Sequence, residues 1–378
     1  MILNKYKKRY LITFLCVGIL QIFASCKKDD KLLEINSDIT TIIYMEANNN
    51  LRGEARKAIH ELEEGLLNTK AKSNILVYIK DNDDIGYLLQ IVANADPYRI
   101  VSDTIMSFPF YRKSDANQIR EVLTYVDKRY NSETYNLVLW SHGTAWSPGA
   151  DYLSPPKSKS FGEDRGQQID IIALKDALPM HFNFIVFDAC SMASIEVLYE
   201  FRDKADFIIA SPTDILSDGF PYKAFISALS YPDRNSLIRI ANSFFNYYDI
   251  QQGLYRSASV SVTDLSKLSK LASYLKLKSD HDRVYVTDGV QRLDFTPGFP
   301  VKLYDFSDFI TKNFKQEDAD AIRKLMDEAI LYKNNTKEFL GNKIYKFSGI
   351  TISCPLPDDP FYTYYSELSW NKDSFFLK

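Results

Sequence analysis

Short apolar runs alternate along the chain with longer segments in which apolar residues recur every three or four positions. The runs predict buried strands and the periodic segments predict amphipathic helices. This alternation indicates a mostly parallel sheet with helices on both faces. The predicted strands are 41–45, 74–79, a run from residue 136 to just before His142, 182–187 and 207–210, and the predicted helices are 51–67, 114–130 with Ser114 or Asp115 as cap, 170–178 and 194–201.

The pattern changes beyond residue 255, where predicted strands at 258–262 and 345–353 are separated by predicted helices at 265–277, 305–314 and 316–332. We find no internal repeat and no Gly/Ser-rich linker, which favours packing of this half against the first. The predicted organisation is a signal sequence at 1–25, a linker at 26–38, an α/β core at 39–254 and a C-terminal α+β extension at 255–378.

Residues 145–168 are predicted to form a long loop, because prolines and glycines recur through them. A loop of this length inside a domain is usually functional or mobile. Composition agrees with a folded protein, since 46% of the 378 residues are hydrophobic and 14% are aromatic. The net charge of −3 gives no basic surface for a nucleic acid, so no nucleic-acid partner is expected.

The N-terminus has the pattern of an export signal, with basic residues followed by the apolar run Leu11 to Phe23. Phe23-Ala24-Ser25-Cys26 resembles a bacterial lipobox, which implies cleavage before Cys26 and a lipid on its sulfur. Residues 27–30 are similar to the signal that sends Bacteroidetes lipoproteins to the outer face of the outer membrane. We therefore expect a cell-surface lipoprotein anchored to the membrane through Cys26; the alternative is an ordinary secreted protein with a polar linker.

Two cysteines remain for the folded part, Cys190 and Cys354. They form either one disulfide bridge or two free thiols, and Cys354 lies in a predicted strand, where a structural role is expected. Cys190 follows the strand that ends at Asp188, and His142 follows another strand. The carboxyl ends of parallel strands meet at one edge of a sheet, so this pair predicts a cysteine nucleophile with a histidine base.

Small residues surround the predicted nucleophile. Gly143 lets a substrate approach, and its backbone N–H, together with that of Cys190, is a candidate oxyanion donor. A helix starting at Ser194 is expected to favour the thiolate. The sequence shows no spacing typical of a metal site, and His60, His181 and His281 lack comparable surroundings.

Several segments together resemble the clostripain-like cysteine peptidases, relatives of caspases, gingipains and legumains. The segments are Ser141-His142-Gly143, Asp188-Ala189-Cys190, Ile42 to Leu51, Ser257 to Leu265 and Ser348 to Pro355. The resemblance covers nearly the whole chain after residue 40. It implies a caspase-like three-layer α/β/α sandwich and hydrolysis of peptide bonds through an acyl-enzyme on Cys190, with His142 as base and acid.

The resemblance also implies preference for arginine or lysine before the scissile bond, with Asp188 as the pocket acid. A carboxylate there is suited to a guanidinium or ammonium group, and its alternative role is capping the next helix. Calcium dependence and self-cleavage between histidine and cysteine are further implications. The predicted loop contains Lys157, Lys159 and Arg165 as candidate cleavage sites.

Some residues depart from the family pattern: Pro212 and Thr213 replace common acids, Phe220 replaces a tryptophan, and Asn48 replaces an aspartate. These changes leave specificity and calcium dependence open, and no third residue that orients His142 is predicted. Two alternatives share the fold. One is a non-catalytic surface lipoprotein that binds protein or glycan ligands, and the other is a cysteine-dependent acyltransferase.

Overall fold

The computed structural model describes residues 35–69, 73–96, 98–110, 115–148, 161–164, 167–231, 233–278 and 284–377. Several sequence predictions lie outside these ranges. They are the signal sequence, the lipid site Cys26, the Ser114 cap, the candidate cleavage sites Lys157, Lys159 and Arg165, and His281.

The described strands form one nine-stranded sheet and three two-stranded ladders. In chain order they are β1 (Ile35–Glu46), β2 (Asn74–Lys80), β3 (Ile85–Gln90), β4 (Asp103–Pro109), β5 (Tyr130–Trp140), β6 (Phe161–Asp164), β7 (Gln167–Ile169), β8 (Phe182–Asp188), β9 (Ala205–Ala210), β10 (Ser259–Asp264), β11 (Tyr304–Asp305), β12 (Ile330–Asn335), β13 (Glu338–Phe339), β14 (Asn342–Lys343) and β15 (Thr351–Ile352).

The large sheet has the order β12-β10-β9-β8-β5-β1-β2-β3-β4. Its five central strands are parallel, and antiparallel strands extend both edges. The register places Met45 of β1 beside Trp140 of β5, and Trp140 beside Asp188 of β8. The carboxyl ends of these three strands therefore lie side by side, which confirms the predicted α/β class with a mostly parallel sheet core.

Helices cover both faces of the sheet and give the three layers that the sequence predicts. In chain order they are α1 (Arg52–Leu66), α2 (Asp115–Arg129), α3 (Ile171–Ala177), α4 (Ile195–Glu200), α5 (Tyr222–Phe225), α6 (Arg234–Asp249), α7 (Leu268–Lys278), α8 (Phe306–Asn313), α9 (Gln316–Ala329), α10 (Tyr362–Glu367) and α11 (Ser369–Ser374). The layer of α1, α5 and α6 packs on one face, and the remaining helices pack on the other.

The central strands are apolar throughout because both of their faces are buried. In β1, Ile42 and Tyr44 point into one hydrophobic core, and Ile43 and Met45 point into the other. Strands covered on both sides read as continuous apolar runs without polar alternation. This is why the sequence pattern identifies the middle of the sheet better than its edges.

Two of the predicted elements in the C-terminal part are wrong in extent. The predicted helix 316–332 ends at Ala329, where β12 begins and pairs antiparallel with β10 at the edge of the sheet. The predicted strand 345–353 is reduced to β15, because Gly349 takes a left-handed backbone conformation with φ +87° that breaks an extended run. Residues after 255 thus contribute two strands to the central sheet.

The predicted loop 145–168 contains regular structure in its C-terminal part, at residues 161–164 and 167–168. There β6 pairs with β7 as an antiparallel ladder, and the N–H of Gly162 donates to the carbonyl of His142 at 3.1 Å. The segment Phe161–Asp164 consequently lies against the turn that carries His142. Across the described ranges, we find no helix that combines the length and the apolar character needed to cross a bilayer.

Candidate active site

His142 and Cys190 follow neighbouring parallel strands, β5 and β8. The N–H of Ser141 donates to the carbonyl of Asp188 at 3.3 Å, so the two strand ends remain paired up to the site. A Cβ atom added to Gly143 would lie 2.7 Å from the carbonyl oxygen of Cys190 and 3.1 Å from its nitrogen. The backbones after the two strands therefore approach so closely that only glycine fits at position 143.

His142 is partly exposed, and its Nε2 lies 2.7 Å from Oδ1 of Asn50. The carboxylate oxygen Oε2 of Glu163 lies 3.7 Å from the same nitrogen. Asn50 follows β1 and Glu163 belongs to β6, so three different strands of the fold meet around the imidazole. Neither residue is predicted by the sequence pattern, although Asn50 lies within the Asn48-Asn-Asn-Leu51 turn.

The thiol of Cys190 bonds to the backbone of Ile215. Its Sγ accepts from the Ile215 N–H at 3.3 Å and donates to the Ile215 carbonyl at 3.7 Å. The next residue, Ser191, has a left-handed backbone with φ +60°, and its N–H donates to the Thr213 carbonyl at 2.8 Å. A non-glycine residue in this conformation costs energy, and the surrounding bonds stabilise it beside the predicted nucleophile.

Burial, together with the negative charge of Asp214, raises the pKa of the Cys190 thiol to about 12. The sequence predicted the opposite, because it placed Cys190 at a helix N-terminus. In the structure α4 begins only at Ile195, five residues later, and its cap is Ser194, which accepts from the Val197 N–H at 3.4 Å. The helix is therefore too far along the chain to offset the burial of the thiol.

Asp188 is the last residue of β8, and its side chain is buried. Its Oδ2 accepts from the N–H of Phe220 at 3.2 Å and from the hydroxyl of Tyr222 at 2.9 Å. Burial raises the pKa of this carboxyl group to about 7. Since Ser194 caps α4, the alternative role of Asp188 as a helix cap is wrong.

Gly219 lies close to the Asp188 carboxylate. Its φ is +65°, and an added Cβ would lie 2.9 Å from Oδ2 and 3.0 Å from Oδ1 of Asp188. Both hydrogen bonds to the carboxylate go to Oδ2. Only glycine therefore lets the backbone at position 219 come this close to the carboxylate.

Residues 211–222, which we call the pocket loop, contact both the Cys190 thiol and the Asp188 carboxylate. In this loop the carboxylate of Asp214 accepts from the Ser191 hydroxyl at 3.3 Å and from the Thr296 hydroxyl, and burial raises its pKa. Asp218 pairs with Lys57 of α1 at 2.7 Å. The pocket loop thus contacts α1 through Asp218 and the Cys190–Ser191 segment through Asp214 and Ile215.

The departures noted in the sequence are accommodated within the pocket loop. Thr213 is buried, and its hydroxyl lies 2.8 Å from that of Ser259. An acid at this position would be buried among hydroxyl groups, but Asp214, one residue later, faces Ser191 and Thr296. Asp214 is not predicted from the sequence, in which the only signal for it is an acid directly after the two substituted positions.

The described cysteines, Cys190 and Cys354, are both free, so the bridged alternative is wrong. Within the described ranges, no three potential histidine, cysteine or carboxylate ligands come together as a metal site. His181 pairs with Asp206 at 3.0 Å at the surface, away from the strand ends that carry His142 and Cys190.

A sequence model of the clostripain family, peptidase family C11, matches residues 43–369. Comparison with curated proteins gives no significant match. Among solved structures, a secreted C11 cysteine protease from Bacteroides thetaiotaomicron, "iotapain", is 24% identical with a TM-score of 0.77, over 90% of this chain and 99% of its own. A structure of a secreted C11 protease from that organism with an irreversible peptide inhibitor is 24% identical with a TM-score of 0.76, over 89% and 99%.

These two likenesses support the fold. An inactive zymogen C11 protease from Parabacteroides distasonis is 28% identical with a TM-score of 0.73, over 90% of this chain and 99% of its own. The family match covers most of the chain and includes both strand ends that carry His142 and Cys190. The chain therefore belongs to the clostripain family of cysteine peptidases.

Proposed function

We propose that this cysteine peptidase is an endopeptidase that cleaves after arginine or lysine, with Cys190 as nucleophile and His142 as base and acid. The observation that carries the specificity is the buried Asp188 carboxylate, two residues before the thiol, whose hydrogen bonds from Phe220 and Tyr222 both go to Oδ2. A planar guanidinium or an ammonium group is the natural partner of such a carboxylate in an enclosed site.

In the proposed reaction, His142 accepts the proton of the Cys190 thiol as Sγ attacks the scissile carbonyl carbon. The carbonyl oxygen becomes an oxyanion, which the N–H groups of Gly143 and Cys190 stabilise. His142 then gives the proton to the leaving amine, and water hydrolyses the thioester. The bond from Gly162 N–H uses the carbonyl of His142, so it does not occupy the Gly143 donor.

The raised pKa of the thiol fits a general-base step. A thiol with a pKa of about 12 is protonated at neutral pH, so proton removal must accompany attack. Asp188 and Asp214 both contribute negative charge that raises this pKa. A cationic substrate side chain bound between them would offset that charge and favour the thiolate at the moment of reaction.

Three finer features extend the proposal. The export signal and Cys26 make the chain a lipoprotein of the outer membrane surface, and the word "secreted" in the name of the Bacteroides thetaiotaomicron homologue supports export. Its substrates are protein or peptide chains, and calcium is a candidate ligand by family resemblance. Self-cleavage takes place after Lys157, Lys159 or Arg165. Mass spectrometry of the protein after incubation tests this by identifying the fragment ends.

Turnover of fluorogenic peptides ending in Arg, Lys, Asp or Ala by residues 27–378 tests the main proposal. We expect cleavage after Arg or Lys that disappears in Cys190→Ala and in His142→Ala. Asp188→Asn should lose most of this activity, whereas Asp206→Asn at an exposed position should not. Absence of turnover and of labelling by a cysteine-directed peptide inhibitor, with the 145–168 segment uncut, would favour the ligand-binding alternative.

A further inference from the structure

The imidazole of His142 is held from the side of Nε2. Oδ1 of Asn50 lies 2.7 Å from this nitrogen, and Oε2 of Glu163 lies 3.7 Å from it. We propose that Asn50, supported by Glu163, is the positioning residue that keeps the His142 proton on Nε2 and presents Nδ1 to the thiol and the leaving group. This inference rests on the proposed function of His142 as base.

The nature of the neighbours decides the tautomer. Oδ1 of Asn50 lies within hydrogen-bond distance of Nε2 and can only accept, and the Glu163 carboxylate at 3.7 Å adds negative charge on the same side of the ring. A neutral imidazole carries one N–H, and the bond made by one nitrogen fixes which nitrogen remains a base. The acceptor at Nε2 therefore favours the Nε2–H form, in which Nδ1 has the lone pair that a general base requires.

The backbone around Asn50 and Glu163 is fixed by a shared set of bonds. Asn49 donates from Nδ2 to the carbonyls of Glu46 at 3.1 Å and of Glu163 at 2.8 Å. Its Oδ1 accepts from the Leu51 N–H at 2.8 Å, which closes the turn that contains Asn50. The turn after β1 is thus tied directly to the segment that carries Glu163.

Ser141 completes this frame from the His142 side. Its hydroxyl donates to the Glu46 carbonyl at 2.8 Å and accepts from the Glu163 N–H at 3.0 Å. The residue immediately before His142 therefore connects both elements that supply the oxygens at Nε2. Because these contacts are made by the Asn49 amide, the Ser141 hydroxyl and the backbone, the exposed Asn50 side chain can be changed without removing them.

The expected consequence of losing Asn50 is kinetic. Without the acceptor at 2.7 Å, the imidazole populates the other tautomer and other ring orientations, so kcat falls by about tenfold or more while KM changes little. Asn50→Asp retains an acceptor oxygen of the same reach and should recover much of the kcat lost in Asn50→Ala. Asn242→Ala is the matched control, because Asn242 is an exposed asparagine with a side-chain bond of 3.0 Å to Tyr332.

Two measurements on residues 27–378 test the inference. The first is the ¹H–¹⁵N ring correlation of His142, identified by comparison with His142→Gln. We expect the Nε2–H pattern in the wild type and in Asn50→Asp, and a mixture of tautomers in Asn50→Ala. The second is the kcat and KM of the same variants on a basic peptide, with unchanged thermal unfolding as evidence of folding.

The outcomes separate this inference from the proposed function. A wild-type tautomer pattern and wild-type kcat in Asn50→Ala would overturn the role of Asn50, even if turnover depends on Cys190. A tautomer shift in Asn50→Ala in a protein that never shows Cys190-dependent turnover would overturn the proposed function and keep Asn50 as the residue that orients the ring. A kcat loss without any tautomer change would also overturn the inference.

Discussion

The hydroxyl of Tyr222 donates a hydrogen bond of 2.9 Å to Oδ2 of Asp188, which joins the end of the pocket loop to the end of β8. The same carboxylate oxygen accepts from the Phe220 N–H. Both donors stabilise the ionised form, yet burial outweighs them and leaves the pKa of Asp188 at about 7. Asp188, the proposed pocket acid, thus titrates near neutral pH.

This pKa predicts a pH dependence that is specific to basic substrates. Asp188 is ionised above about pH 7 and neutral below it, so kcat/KM for a peptide ending in Arg should fall as pH decreases through 7. A peptide ending in Ala does not need this charge and should lack that limb of the profile. The comparison of the two peptides between pH 5 and 9 is the measurement, and identical profiles would contradict it.

Tyr222→Phe should move this pH dependence upward. The Tyr222 hydroxyl lowers the pKa of Asp188, so its removal leaves burial less opposed, and the limb for the Arg peptide shifts to higher pH. Tyr248→Phe is the matched control, since the Tyr248 hydroxyl donates to the Gly219 carbonyl at 2.8 Å and makes no bond to the carboxylate. Equal shifts in the two variants would show that the bond to Asp188 is not the cause.

Gly219→Ala should abolish cleavage after basic residues, because the new Cβ would lie 2.9–3.0 Å from the Asp188 carboxylate oxygens and would displace the carboxylate or the pocket loop. The left-handed backbone adds a strain of about 1–2 kcal/mol. Gly253→Ala carries the same strain, with φ +58° and no atom within 4 Å of the added Cβ. We expect the larger loss of unfolding free energy in Gly219→Ala, because its Cβ also meets the carboxylate, and loss of activity only in Gly219→Ala, as measured by denaturant unfolding and by peptide turnover of folded protein.

The sequence predicts the central strands of the sheet well, because burial on both faces makes these strands continuously apolar. Runs such as Ile42 to Met45 face two cores, so both side-chain orientations are apolar and the strand is visible in the pattern. The edge strand β12 is only half-buried along its length, and its sequence continued the helical pattern of α9. Pairing with β10, which the pattern does not encode, decides its structure.

The candidate site likewise contains residues that the sequence pattern predicts and residues that it does not. His142 and Cys190 were predictable because each follows an apolar strand, and strand ends meet in parallel sheets. Asn50 and Glu163 come from other parts of the chain, and only the register of β1 with β5 and the placement of β6 bring them to the imidazole. The prediction of a lowered pKa for the Cys190 thiol was wrong, because the burial that raises this pKa depends on three-dimensional packing.

Asp214→Asn should accelerate alkylation of Cys190 by a neutral reagent such as iodoacetamide. The rate follows the thiolate fraction, and Asp214 contributes to the high pKa of this thiol. In the wild type the rate should rise about tenfold per pH unit from 7 to 10, without a plateau. The experiment uses a Cys354→Ser background, because burial also raises the pKa of Cys354 to about 12.

The control for this experiment is Asp206→Asn, which removes an exposed acid on β9. Both Asp214 and its replacement accept hydrogen bonds, so the contacts to Ser191 and Thr296 remain possible and the change is mainly one of charge. A plateau of the wild-type rate near pH 8 would show that the thiol is activated before substrate binds. An unchanged rate in Asp214→Asn would remove Asp214 as a cause.

The buried ion pair between Lys80 and Asp164 predicts a link between stability and activity. Lys80 is fully buried, its ammonium bonds to the Asp164 carboxylate, and Asn48 donates to the other Asp164 oxygen at 2.6 Å. Lys80→Met removes the Lys80 ammonium group from the buried Asp164 carboxylate, which should reduce the unfolding free energy by about 3–5 kcal/mol. Lys57→Met breaks the exposed pair with Asp218 and should cost less than about 1 kcal/mol.

Activity should also depend on the ion pair between Lys80 and Asp164, because Asp164 is adjacent to Glu163, which lies beside His142. Loss of the Lys80 anchor loosens Phe161–Asp164 and so weakens the frame at Nε2, and we expect kcat to fall in Lys80→Met at temperatures where the protein remains folded. Circular dichroism melting and peptide turnover on the same samples provide both readouts. Full kcat in a destabilised Lys80→Met variant would show that the ion pair supports the fold without positioning His142.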